Sequence, residues 1–205
     1  PFMEEYLSLL ALANEILGYD KKDTRFFDFI NEQFSDNNLI VSFLEQIDLI
    51  LENGYNSKLS EVKYILVALV EDNRVKNEYI SQLENLPEEE QVKVLENLPS
   101  DYFKRQIISR MTNRLQYIDT IQSEKARTRT IEQFSVEEIN AYMEQKTQDE
   151  RNAIVKKLPD RLKVSCIEHG LVSEKETKDI ILGLKDINVI LELKPEYLRT
   201  WRQYG

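Results

Sequence analysis

The sequence predicts an all-α protein: an irregular, α-solenoid-like stack of antiparallel helical hairpins with about 10–12 helices. Three observations carry that expectation. Apolar residues recur at helical spacing from end to end, and caps and prolines punctuate the second half as helix starts. Gly and Pro number only five each among 205 residues, too few for the tight turns of a β-sandwich or a doubly wound sheet.

Along the first half, periodicity does most of the work. From Phe2 to Leu17 the apolar residues follow the i, i+3, i+4, i+7 rule, and Gly18 suits a C-terminal cap. Asp23 to Phe34 gathers Phe26, Phe27, Phe29, Ile30 and Phe34 on one side. Asp36 to Asn53 reads as a strongly buried helix closed by Gly54. Ser57 suits the N-cap of a helix carrying Val62, Ile65, Leu66, Leu69 and Val70. In the second half the caps are explicit. Ser135 with Glu138, Thr147 with Glu150, and Ser173 with Glu176 have the capping-box form, in which hydroxyl and carboxylate each satisfy one free amide of the first turn. Pro87, Pro99 and Pro159 are expected in first turns, where proline loses no intrahelical bond.

An internal repeat joins two of these regions. PEEEQVKVLENLPSDYFKRQII at 87–108 and TQDERNAIVKKLPDRLKVSCI at 147–167 match at an offset of 60, pairing Glu90 with Glu150, Val94 with Ile154, Leu95 with Val155, Leu98-Pro99 with Leu158-Pro159, Tyr102 with Leu162 and Ile107 with Ile167. FSVEEINAYM at 134–143 is a looser copy of the first helix, 48 residues on from LPEEEQVKVL at 86–95. Each unit reads as a capped helix, a Leu-Pro corner and a second, antiparallel helix, which needs stacked neighbours to cover its apolar stripe. The phrase L-P-x-E-x-x-x-x-V-L-x-x-L-P, within residues 86–167, resembles the short superhelical repeats of magnesium-transporter N-terminal domains and flagellar rotor proteins. That resemblance implies a helical scaffold and assigns no role to any residue.

Composition sets the outer limits. A net charge of −10 argues against a general nucleic-acid binder. The charge is uneven: residues 1–102 carry 8 Lys/Arg against 21 Asp/Glu, and residues 103–205 carry 19 against 16. Two subdomains are expected, an acidic one at 1–85 and a hairpin-repeat one at 86–205. With Cys166 alone no internal disulfide can form, which suits a cytoplasmic or otherwise reducing compartment. Glu4 and Glu5 stand where a signal peptide would be basic, and no apolar run approaches the ~18 residues of a membrane span. A chain beginning at Pro1 reads as a fragment of a longer protein.

The candidate sites are few. Cys166 and His169 are three apart on a helix, but a zinc site needs about four ligands and neither residue type occurs again. They read as a buried thiol and a helix-end imidazole before Gly170. The run Glu88-Glu89-Glu90 complements a helix dipole more simply than it binds metal. Residues 104–129 are basic, with Lys104, Arg105, Arg110, Arg114, Lys125, Arg127 and Arg129 against Asp119 and Glu124. They are a candidate contact for phosphate, anionic lipid or an acidic protein. At the C-terminus, Trp201 and Arg202 lie among Tyr197, Leu198, Arg199 and Tyr204 in the mix typical of protein-contact hot spots. No metal and no cofactor is expected, and no catalytic motif is present. The expected function is a protein–protein interaction module: a scaffold, adaptor or regulatory domain whose partner is another protein. Two alternatives stand beside it. The Asn/Ile/Lys-rich usage admits a bacterial effector or parasite domain acting on a host protein or anionic membrane through 104–129. An all-α enzyme with a dispersed active site is the other.

Overall fold

The computed structural model describes residues 2–19, 24–54 and 57–204. Asp23, the expected start of the second helix, lies outside the described residues, as do the side chains of Phe2, Met3 and Tyr6. The protein is all-α: among the described residues there are fourteen α-helices, one 3₁₀ helix and no strand. The helices outnumber the ten to twelve expected because closely spaced caps cut the second half into short pieces, down to the five residues of Ile187–Leu191. Contacts divide the chain into two compact units, Pro1–Gln122 and Ser123–Gly205.

The first unit holds α1 (Phe2–Gly18), α2 (Thr24–Gln33), α3 (Asn37–Asn53), α4 (Ser57–Leu69), α5 (Asn73–Glu84), α6 (Glu88–Asn97), α7 (Asp101–Ile108) and the 3₁₀ helix Arg114–Thr120. Its centre is α4, against which α1, α3, α5, α6 and α7 all pack. The α4 sequence explains this: Leu59, Val62, Ile65, Leu66 and Val67 face several directions and all are buried. A helix whose apolar residues spread over more than one face is stable only when neighbours cover those faces. The subdomain break expected after residue 85 falls inside this unit. Phe103 of α7 is fully buried, with its ring 5.9 Å from Phe26 and 6.0 Å from Phe27 of α2, so residues beyond 85 complete the core begun by residues before it.

The second unit holds α8 (Glu124–Ile131), α9 (Val136–Glu144), α10 (Gln148–Val155), α11 (Asp160–Glu168), α12 (Glu174–Leu182), α13 (Ile187–Leu191) and α14 (Pro195–Tyr204). Here α11 touches α9, α10 and α12, and α12 touches α14. Polar side chains fasten the corners. Arg151 donates to the carbonyls of Met143 at 2.7 Å and Glu144 at 3.0 Å, closing the end of α9. Asp160 Oδ2 accepts the amides of Lys185 at 2.8 Å and Asp186 at 2.7 Å.

Local chemistry places the ends. Asp36, Ser135, Thr147 and Ser173 all accept a first-turn amide. The full reciprocal box is formed at Thr147 and Glu150. At Ser173 the expected partner Glu176 reaches Lys156 instead, at 3.3 Å. The prolines stand slightly earlier than expected: Pro87 and Pro159 are N-caps and Pro99 precedes the N-cap Ser100, which leaves Pro195 as the proline inside a first turn. Ser57 is the first residue of α4. The two repeat copies do form helix, Leu-Pro corner, helix, with Leu98 and Leu158 buried. They are used differently. In the second copy α10 packs on α11, whereas in the first α6 and α7 share α4 and the 3₁₀ helix as principal partners.

Candidate functional site

The basic run at 104–129 spans the division between the two units. Lys104, Arg105, Arg110 and Arg114 belong to the first unit, and Lys125, Arg127 and Arg129 to the second. Lys104 is 4% exposed and donates to the Thr120 carbonyl at 2.7 Å. Arg114 donates to the Ser109 carbonyl at 2.9 Å, and Arg110 to Asn73 Oδ1 at 2.7 Å and Asn77 Oδ1 at 3.3 Å. These three cations hold the protein's own backbone and amides. Arg105 is half-buried in the last turn of α7. On α8, Lys125 and Arg129 are exposed and Arg127 is half-buried. On α14, Trp201 is half-buried and Arg202 exposed.

Cys166 is fully buried, and burial pushes its thiol up to about 11, the opposite of what a nucleophile needs. His169 caps α11, its Nδ1 2.8 Å from the Ser165 carbonyl. Gly170 follows at φ +68, with its amide on Ile167 O and that of Leu171 on Cys166 O, the hydrogen bonds of a Schellman motif. Glu88, Glu89 and Glu90 occupy the first turn of α6 and are exposed. Among the described residues no group of three or more His, Cys, Asp or Glu is placed to hold a metal ion, and no helix is long and apolar enough to cross a membrane.

One concave feature of the first unit was not foreseen from the sequence. A cleft of about 390 Å³ opens between the end of α3, one side of α4 and one side of α6. Tyr64 and Leu98 form its buried floor, Leu51 and Val94 are half-buried walls, and Leu86 stands at its lip, 39% exposed. Ser57, Ser60 and Asn97 add neutral polar groups, and Glu61, Lys63, Glu90 and Lys93 supply charge.

Two networks hold this cleft in shape. In the first, Lys63 Nζ lies 2.7 Å from Asp48 of α3 and sits over the rings of Tyr79, at 5.2 Å, and Tyr64, at 5.7 Å. Burial and then a hydrogen bond to Asp48 raise the Tyr79 hydroxyl far above its ordinary value. Burial and then the Asp48 charge raise Tyr64. In the second, the buried Gln91 side chain donates to the carbonyls of Glu84 at 3.1 Å and Leu86 at 2.7 Å, and accepts from the Tyr117 hydroxyl at 2.7 Å. Gln91 thereby fixes the α5–α6 turn and the placement of Leu86. An apolar floor with hydroxyls, an amide and paired charges around it is suited to recognising side chains. The sequence signal for it was slight: Leu86 entered only as the first residue of the repeat phrase at 86–95, and Gln91 carried no signal of its own.

Comparison with protein-family models, with curated proteins and with solved structures gives no match for this chain.

Proposed function

We propose that this protein is a protein–protein interaction module, a helical scaffold or adaptor, and that the α3–α4–α6 cleft of its first unit receives a segment of the partner. The observation that supports this most is Leu86, a large apolar side chain standing 39% exposed at the lip of a concave, apolar-floored cleft and pinned there by Gln91. Exposed apolar groups set beside a preformed concavity are the usual makings of a hot spot. The internal pairing of Lys104, Arg110 and Arg114 favours this cleft over the basic run as the contact surface. The scaffold reading also accords with the likeness of residues 86–167 to magnesium-transporter and flagellar rotor repeats.

The test is a comparative capture with the immobilised full chain and a Leu86→Asp/Val94→Asp variant whose circular dichroism and melting match the wild type. A stoichiometric partner held by the wild type and lost by the variant is the expected result. Identical capture by both proteins rejects the cleft as the contact.

A further inference from the structure

The charges around the cleft select the kind of segment it takes. The three helices that wall it carry eight carboxylates, Glu45, Asp48 and Glu52 on α3, Glu61 on α4, and Glu88, Glu89, Glu90 and Glu96 on α6. Against them stand three lysines, Lys58, Lys63 and Lys93, so the three helices together carry a net charge of −5 over all their faces, while the charged residues that line the cleft itself are Glu61 and Glu90 with Lys63 and Lys93. The lysines are not equally free to meet a ligand. Lys63 is committed to Asp48 at 2.7 Å and to two tyrosine rings. Lys58 turns to Asn14 Oδ1 of α1 at 3.0 Å. Lys93 makes a loose pair with Glu90 at 3.4 Å, both side chains more than half exposed, a geometry of little strength that a competing charge displaces. With the Lys63–Asp48 pair internally cancelled, the lining charges turned toward a ligand are Glu61 and Glu90 against Lys93.

We infer that the occupant is a basic segment with a single bulky apolar anchor. The anchor seats on Tyr64 and Leu98 between Leu51, Leu86 and Val94, and flanking Lys or Arg side chains meet Glu61 and Glu90. This inference rests on the cleft being a docking site and adds its charge preference. Complementary fields of this kind govern partner choice and association rate more than final affinity, so the preference is read best by selection among many sequences. An acidic segment would meet Glu61 and Glu90 and be repelled, so the preference includes rejection as well as attraction.

The experiment pans the full-length chain against a combinatorial library of displayed dodecamer peptides, in parallel with two variants whose substituted side chains are exposed. Leu86→Asp removes the lip, and Glu61→Lys/Glu90→Lys reverses the lining charge. Circular dichroism and thermal melting confirm that each is folded before panning. The expected result is that the wild type enriches peptides with net positive charge around one Leu, Phe, Tyr or Trp. Leu86→Asp fails to retain them, and the charge-reversed variant binds them about tenfold less well, the loss of two exposed charge contacts, and enriches acidic peptides instead. Enrichment by the wild type of Leu86-dependent peptides that are neutral or acidic overturns the basic occupant and leaves the docking cleft standing. Enrichment of no peptide that depends on Leu86 overturns both.

Discussion

Lys76 and Lys104 are cations inside a protein, 5% and 4% exposed. An ammonium withdrawn from water is costly unless a hydrogen-bond acceptor replaces the water. Lys104 has the Thr120 carbonyl at 2.7 Å, and Lys76 has Gln106 Oε1 at 3.3 Å. Both occur in the same local pattern, Val75-Lys76 before Tyr79-Ile80 and Phe103-Lys104 before Ile107-Ile108, which puts each lysine on a buried helix face three and four residues from large apolar ones. Replacing Lys104 with Ala removes both stem packing and the bond to Thr120, and is expected to cost about 2 kcal/mol in urea denaturation. Lys125→Ala, from the same basic run but exposed, should stay within about 0.5 kcal/mol. Equal effects would contradict this assignment. For Lys76, desolvation first and the Arg110 charge second lower the pKa from its ordinary 10.5, while Glu71 works the other way. The unfolded chain then holds that proton more tightly than the folded one. The resulting penalty is fully present below the folded pKa and is relieved as pH rises toward 10.5. Wild-type stability should therefore gain on that of Lys76→Met as pH is raised from neutrality. The raised tyrosines, which withdraw stability above their ordinary 10, are common to both proteins and cancel in the difference.

Helix ends show how much of an element is written locally. At the end of α11, Gly170 holds φ +68 with nothing within 4 Å of an added Cβ, so substitution there costs conformation and no clash. Gly170→Ala should destabilise by about 1 kcal/mol in thermal or urea unfolding, with Gly170→Asn milder because Asn visits that region more readily. Gly54, outside the positive-φ region and equally open, should accept Ala without loss. Ends of this kind were legible because a cap is chemistry among neighbours in sequence: Ser135, Thr147, Ser173 and Gly170 all take their expected roles as caps. The uses of the Leu-Pro units were not, because packing is set by what arrives from elsewhere. Tyr102 is 51% exposed although its repeat counterpart Leu162 is fully buried. The cleft was hidden for the same reason. Leu51, Tyr64, Leu86 and Val94 come from three helices and an intervening turn, and no local periodicity marks them as neighbours. The basic run shows the reverse case, since cations that are neighbours in sequence fall on both sides of the division after Gln122.

At the scale of the whole molecule, that division sharpens the charge asymmetry. Residues 1–122 carry 12 Lys/Arg and 22 Asp/Glu, a net of −10, and residues 123–205 carry 15 of each and are neutral. The entire net charge of the chain therefore belongs to the unit that contains the cleft. A unit with ten uncompensated negative charges bears a self-repulsion that opposes compactness, and dissolved salt screens it on a length of about 10 Å at 0.1 M. The neutral unit has no such net term for salt to relieve, and its ion pairs, such as that of the exposed Lys156 with the half-buried Glu176 at 3.3 Å, are weakened by salt. The two units of one intact chain should thus respond in opposite directions to ionic strength. Native-state hydrogen exchange read by mass spectrometry resolves them as separate sets of peptides. Raising NaCl from about 20 mM to about 200 mM should slow exchange in α3, α4 and α6, which together carry half of the unit's net charge, and leave exchange in α9 to α12 unchanged or slightly faster. A uniform response along the chain would show that the two units open together, and that the charge of the first is not held locally. The same titration bears on docking, because the field that destabilises the empty first unit is the one that would draw a basic segment into the cleft. A bound basic segment should reproduce the effect of salt on α3, α4 and α6 even at low ionic strength.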